Sequence, residues 1–177
     1  MRNDAGISDC AVWLDLRARS RFNHVLDAAG QRRAQGHSVA TLTQTELERH
    51  LWQAADILRG TVDAGDYKQY IFGLLFYRRL CDVWDEEFDA LLAETGDREE
   101  AADPDEHRFH IPPQHHWNAV RKHATQIGQH LNNAFAAIED ANLPMRGVFG
   151  DVDFANQERF PDARLEMLLA HFEKYRL

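Results

Sequence analysis

Cysteine is nearly absent from this chain: among 177 residues only Cys10 and Cys81 carry a thiol. They lie far apart, with no CxxC and no Cys/His ligand spacing. That excludes a disulfide framework and a cysteine-held zinc, and it fits a reduced intracellular protein. Cys81 falls in an apolar helical stretch, which speaks against a reactive thiol. Serine is almost as scarce: Ser8, Ser20 and Ser38 all fall in the first 40 residues. None stands in a GxSxG elbow, which removes nucleophilic serine catalysis. Neither GxGxxG nor GxxxxGK[ST] occurs, so a nucleotide site would lack its phosphate cradle. The longest apolar run, Tyr70 to Tyr77, is far short of the roughly 20 residues a bilayer span needs. The opening MRNDAGISDC carries acids instead of a basic segment, and the apolar run behind it is broken at Asp15. No signal peptide is visible, and the expected location is the cytoplasm.

Positive charge is also in deficit. Twenty Lys and Arg face 29 Asp and Glu, a net charge of -9, the wrong sign for a chain that binds nucleic acid by itself through phosphate neutralisation. Contact with a polyanion must come from a local patch or through partners. The acids are interspersed with Arg and Lys, so they read as a solvated surface and not as a mimic of DNA.

What is present is helical periodicity. The length suits about one domain, which buries roughly 70% of the surface of its unfolded chain. Residues 1–40 hold six Arg and four Asp, so the negative balance sits in the remainder. Ala28 to Ser38 reads as a linker, and residues 1–40 as an extension, with a short, weakly amphipathic helix over Val12 to Leu26. Residues 41–177 form the expected helical domain. Its first helix starts at a capping box, Thr43 with Glu46, carries Leu47, Leu51, Ala54, Ala55 and Leu58 on one face, and stops at Gly60. A second helix, N-capped by Asp66, runs to about Glu94 and is apolar all round from Tyr70 to Tyr77, which predicts full burial.

Thr95 to Asp105 is an acidic connection broken by Gly96 and Pro104. A third helix places Trp117, Val120, Ala124, Ile127, Leu131, Phe135 and Ile138 at steps of three and four. Met145 to Phe154 is a loop or a brief extended stretch. A last helix from Pro161 carries Leu165, Leu168, Leu169 and Phe172. The expected fold is an all-α bundle of four to six helices with a long acidic connection.

Ten histidines invite a metal reading, most of all His107, His110, His115, His116, His123 and His130. The spacing of HRFH and QHH places no two imidazoles on one helical face beside a carboxylate, as a metal motif would. His116 and His123, or His123 and His130, are seven apart and can share a face, with no third ligand implied. Asp85, Glu86 and Glu87 point in different directions on a helix and read as a solvated face. The remaining candidate is basic and polar: Arg78 and Arg79 on the second helix, then Arg121, Lys122, His123 and Gln126 on the third. These residues either reach a phosphate or an acidic partner, or form ordinary surface with Arg78 and Arg79 paired to Asp82 or Asp85.

Three segments, LERHLWQAADILRGTVDAGDYKQYIFGLLFYRRLCDVWDEEF (Leu47 to Phe88), WNAVRKHATQIGQHLNNAFAAIEDAN (Trp117 to Asn142) and MRGVFGDVDF (Met145 to Phe154), with the helix near Pro161, stand in an order that resembles a known family. That family is the N-terminal helical domain of the modification (M) subunit of type I restriction-modification systems, whose full-length members are adenine-N6 DNA methyltransferases. The resemblance covers Thr43 to Leu177. It implies a helical domain that packs on the methyltransferase core, joins the specificity (S) subunit and a second M subunit, and helps the complex close around DNA. S-adenosylmethionine is the cofactor of full-length members. Their glycine-rich loop for it and their Asn-Pro-Pro-Tyr/Phe motif occur nowhere in this sequence, so neither a catalytic nor a cofactor-binding residue is expected here. The alternative is a standalone regulator or inhibitor that competes with the full-length M subunit.

Overall fold

The computed structural model describes residues 43–63 and 65–176. The chain divides into two units, 1–48 and 49–177. The extension and linker expected over residues 1–40 lie outside the described residues. The described residues contain six α-helices and no strand: α1 (Gln44–Leu58), α2 (Tyr67–Thr95), α3 (Arg98–Ala101), α4 (Trp117–Val120), α5 (Ile127–Ala141) and α6 (Asp162–Glu173). The all-α expectation holds.

α1 opens in the first unit with the capping box that its sequence announces. Thr43 donates its backbone N–H to Glu46 Oε2 at 2.8 Å, and its hydroxyl accepts from the Glu46 N–H at 3.3 Å. In the second unit the helix buries Ala54 and Leu58, and His50 joins them. Gly60 ends the helix with φ 82°, a left-handed conformation that glycine adopts without strain.

α2 is the centre of the second unit. Leu74 and Tyr77 are fully buried, and the aromatic residues of the apolar stretch gather the other elements around them. Tyr77 packs on Trp117 of α4 at 5.4 Å and on Phe135 of α5 at 5.5 Å between ring centroids, while Tyr70 meets Phe154 at 5.1 Å. Each such ring contributes about 2 kcal/mol by leaving water. Asp66 precedes the helix as expected, but its side chain accepts no cap hydrogen bond, because its own backbone is already in the right-handed helical region. At the other end Gly96, φ 71°, returns its N–H to the Leu92 carbonyl.

The acidic connection is more ordered than its composition suggests. Asp97 caps the short α3 through the amides of Glu99 and Glu100, and Asp103 caps a 3-10 turn over Pro104–Glu106.

The expected third helix is two helices. Residues 121–126 between α4 and α5 are exposed, Ala124 included. The break has a cause remote in sequence: the Asp162 carboxylate accepts from the N–H groups of Gln126 and Ile127, each at 2.9 Å. It caps α5 from the first residue of α6 and holds Gln126 at φ 54°. Hydrophobic spacing carries no sign of this, since steps of three and four continue across the break.

Met145 to Phe154 forms a strap along α5. Glu139 Oε1 accepts from the Phe149 N–H at 3.1 Å, and Asn132 Oδ1 accepts from the Phe154 N–H at 3.0 Å. Between these bonds Phe149 stacks on Phe135 at 4.1 Å. Gly128 lets the strap approach: a Cβ there would fall inside the van der Waals envelope of the Phe154 carbonyl. The apolar stripe of α6, Leu165, Leu168, Leu169 and Phe172, is buried as expected.

Candidate functional site

Of the six residues singled out by sequence, the structure gathers four on one short stretch. Arg121, Lys122, His123 and Gln126 occupy the exposed link between α4 and α5. Arg121 forms an ion pair with Glu173 at the end of α6. Lys122 leads the link into His123, whose ring lies on that of His130 with centroids 3.5 Å apart and planes 10° from parallel. His130 was not among the six. The seven-residue interval was the available signal, and it puts the two rings together only because the link bends back at Gln126.

Burial lowers the His130 imidazole below its ordinary value, His123 and His115 push it down further, and Asp162 pulls it partly back. At Asp162 burial pushes the carboxyl up, but the Ile127 N–H, the Gln157 amide and the Gln126 N–H outweigh it and hold the group below the usual carboxylate range. Asp162 therefore stays charged while spending its oxygens on backbone amides.

The other two residues are engaged elsewhere. Arg78 turns inward, pairs with Asp82 at 2.8 Å and lies over the Trp117 ring at 5.3 Å. Arg79 pairs with Glu86 at 3.1 Å. The carboxylates Asp85, Glu86 and Glu87 are not a bare solvated face. Asp85 meets His116 at 3.2 Å, Glu86 meets Arg79, and Glu87 meets Arg108 and His107. Their partners Arg108, His107 and His116 arrive from the chain that follows α3, which explains why local spacing missed them.

His107 and His116 serve the fold. His107 is buried with Nε2 on the Ala101 carbonyl at 2.9 Å, and His116 caps α4 through Nδ1. No group of three His, Cys, Asp or Glu among the described residues could hold a metal ion. The Cys81 sulfur accepts from the Trp117 N–H at 3.3 Å, and burial pushes its thiol far above the ordinary range. An open cleft of about 520 Å³ between α1 and α6 is lined by Asp56, Ile57, Pro161, Ala163, Arg164 and Met167. Arg164 is already committed there, donating to the Ile57 carbonyl at 2.6 Å at the end of α1. No helix among the described residues is long and apolar enough to cross a membrane.

Residues 47–172 match the model of the HsdM N-terminal domain family. The chain belongs to that family. The match runs from α1 into the last turn of α6 and takes in the whole 121–130 face of this HsdM domain. The type I restriction enzyme MpnII methylase subunit of Mycoplasma pneumoniae is 28% identical over 127 residues, which cover 60% of this chain and 21% of that protein. The L-rhamnose mutarotase of Acidiphilium cryptum is 44% identical over 62 residues, 34% of this chain and 54% of that protein. The HsdM domain thus spans about a fifth of the first relative and about half of the second. The mutarotase likeness covers a minority of the chain.

Proposed function

We propose that this chain is an assembly domain of a type I restriction-modification adenine-N6 DNA methyltransferase. It joins the catalytic part of the M subunit, the S subunit and a second M subunit, and it helps the complex close on DNA. The observation that carries this reading is the family match over residues 47–172, in a sequence without the glycine-rich loop or the Asn-Pro-Pro-Tyr/Phe motif of the methyl-transfer site.

In this reading S-adenosylmethionine is bound by the catalytic domain and not by this chain. The open α1–α6 cleft offers one guanidinium, and the carbonyls of Ile57 and Arg59 already occupy it. Adenine flipping and methyl transfer belong to a catalytic domain, and this chain positions that domain and the DNA. Lys122, His123 and Gln126 supply the backbone contact, with Arg121 reachable by exchange of its Glu173 partner. Arg78 supports this face from below through Trp117, and Arg79 contributes only if it leaves Glu86.

Size-exclusion chromatography and pull-down with the M and S subunits of the same genome test the reading, joined to calorimetry with S-adenosylmethionine. Complex formation without cofactor binding is expected. Failure to bind either subunit would overturn the assembly role, and cofactor binding would overturn the division of labour.

A further inference from the structure

We propose that the stacked His123–His130 pair makes the 121–130 face a proton-coupled contact for the DNA phosphate backbone, so that binding takes up a proton and tightens as pH falls. This deepens the DNA-contact part of the reading above and rests on it.

The two imidazoles stack at 3.5 Å, so a proton on one repels a proton on the other, and burial together with His123 and His115 holds His130 below its ordinary value in the unbound protein. Titratable and charged groups face the pair from three elements. From the 3-10 turn Pro113–His115 comes His115, which lowers His130. From the start of α6 comes Asp162, the one group that raises it, and its oxygens are taken by Gln126 N–H, Ile127 N–H and the Gln157 amide. On the link itself Lys122 precedes His123, and Arg121 is neutralised by Glu173.

Lys122 gives this stretch a fixed positive charge within a chain whose net charge is -9. Further cationic strength is held in reserve on the imidazoles, whose nearby carboxylate, Asp162, spends its oxygens on amides and leaves room for a second counter-ion. A phosphodiester supplies that counter-ion: it favours the charged imidazole and accepts its N–H. Lys122 adds a fixed charge beside it, and the exposed amides of Gln126 and Gln129 add donors along the same turn. By linkage, a ligand that raises the pKa of a group binds with proton uptake, and its affinity grows as pH falls through the window between the free and bound values.

The test is fluorescence anisotropy of a short labelled DNA duplex with the full chain, at about pH 7.5 and about pH 6 at one ionic strength, with a His123→Gln/His130→Gln double variant. Both rings lie on the surface side of the fold, so the variant is expected to keep its circular dichroism spectrum. The wild type should gain up to about tenfold in affinity over that interval, and the double variant should bind with a flat profile. Equal pH dependence in the two proteins would overturn the proposal. DNA binding by the wild type without pH dependence would overturn it while leaving the DNA contact intact, and absence of binding at both pH values would remove the contact as well. Polyglutamate binding as tight as DNA would reassign the face to an acidic protein partner and overturn the proposal.

Discussion

Lowering the pH from about 7.5 to about 5 should cost the folded domain about 2 kcal/mol through His50 alone. His50 sits on α1 with 1% of its surface exposed. Its ring is stacked on that of His171 at 3.9 Å and meets the edges of Phe172 and Tyr175. Neither of its ring nitrogens has a hydrogen-bond partner, whereas its carbonyl accepts from His171 Nε2 at 2.8 Å. Burial first, then the proximity of His171 and Lys174, lowers the imidazole to about 4 from the 6.5 of a solvated histidine. Between those two values the unfolded chain binds more protons than the folded one, so stability rises with pH. The contribution is complete above the unfolded value and is lost progressively as pH falls toward the folded one. At pH 5 about one and a half units of that gap have been crossed, each worth about 1.4 kcal/mol.

The assay is urea unfolding followed by tryptophan fluorescence at both pH values, for the wild type and for His50→Leu. Leucine is similar in size, and the imidazole N–H that it removes was buried without a partner. The variant should therefore match or exceed the wild type at neutral pH and lose about 2 kcal/mol less on acidification. His171 is also lowered, by burial foremost, and remains in the variant, so a residual slope of the same sign is expected. Identical losses in the two proteins would refute the reasoning.

Gly128→Ala should destabilise by about 3 kcal/mol or more in the same unfolding assay, since its Cβ would meet the backbone carbonyl of Phe154, which cannot swing aside as a side chain can. Asp162→Ala removes the cap from Gln126 and Ile127 and should cost about 1–2 kcal/mol, with amide exchange at those two residues accelerating more than in the middle of α5. In a Cys10→Ser background, Cys81 should resist alkylation in native buffer and react at full rate in urea, because burial keeps its thiol protonated and out of reach. Rapid native alkylation would contradict the packing of α2 on α4.

Signals confined to one turn of chain were legible in the sequence, and contacts between distant segments were not. Thr43 and Glu46 lie within one turn, and their reciprocal hydrogen bonds follow from identity and spacing alone. The buried stripe of α6 follows in the same way, because a helical period encodes a face. A period does not encode where a helix is interrupted when the interrupting group comes from elsewhere. Asp162 stands 36 residues from Gln126, and only the packing of α6 beside α5 delivers its carboxylate to those amides. The same limit hid the partners of Glu87 and Asp85, which come from Arg108, His107 and His116.

Those long-range contacts also build the candidate site. The bend at Gln126 brings His123 back over His130, and that bend exists because Asp162 holds the two amides. The Asp162→Ala change therefore carries a functional expectation besides its stability cost: loss of the bend should separate the two rings and relieve the lowering that His123 imposes on His130. A carboxylate that binds no ligand would then set both the shape of the face and the pH at which it becomes charged.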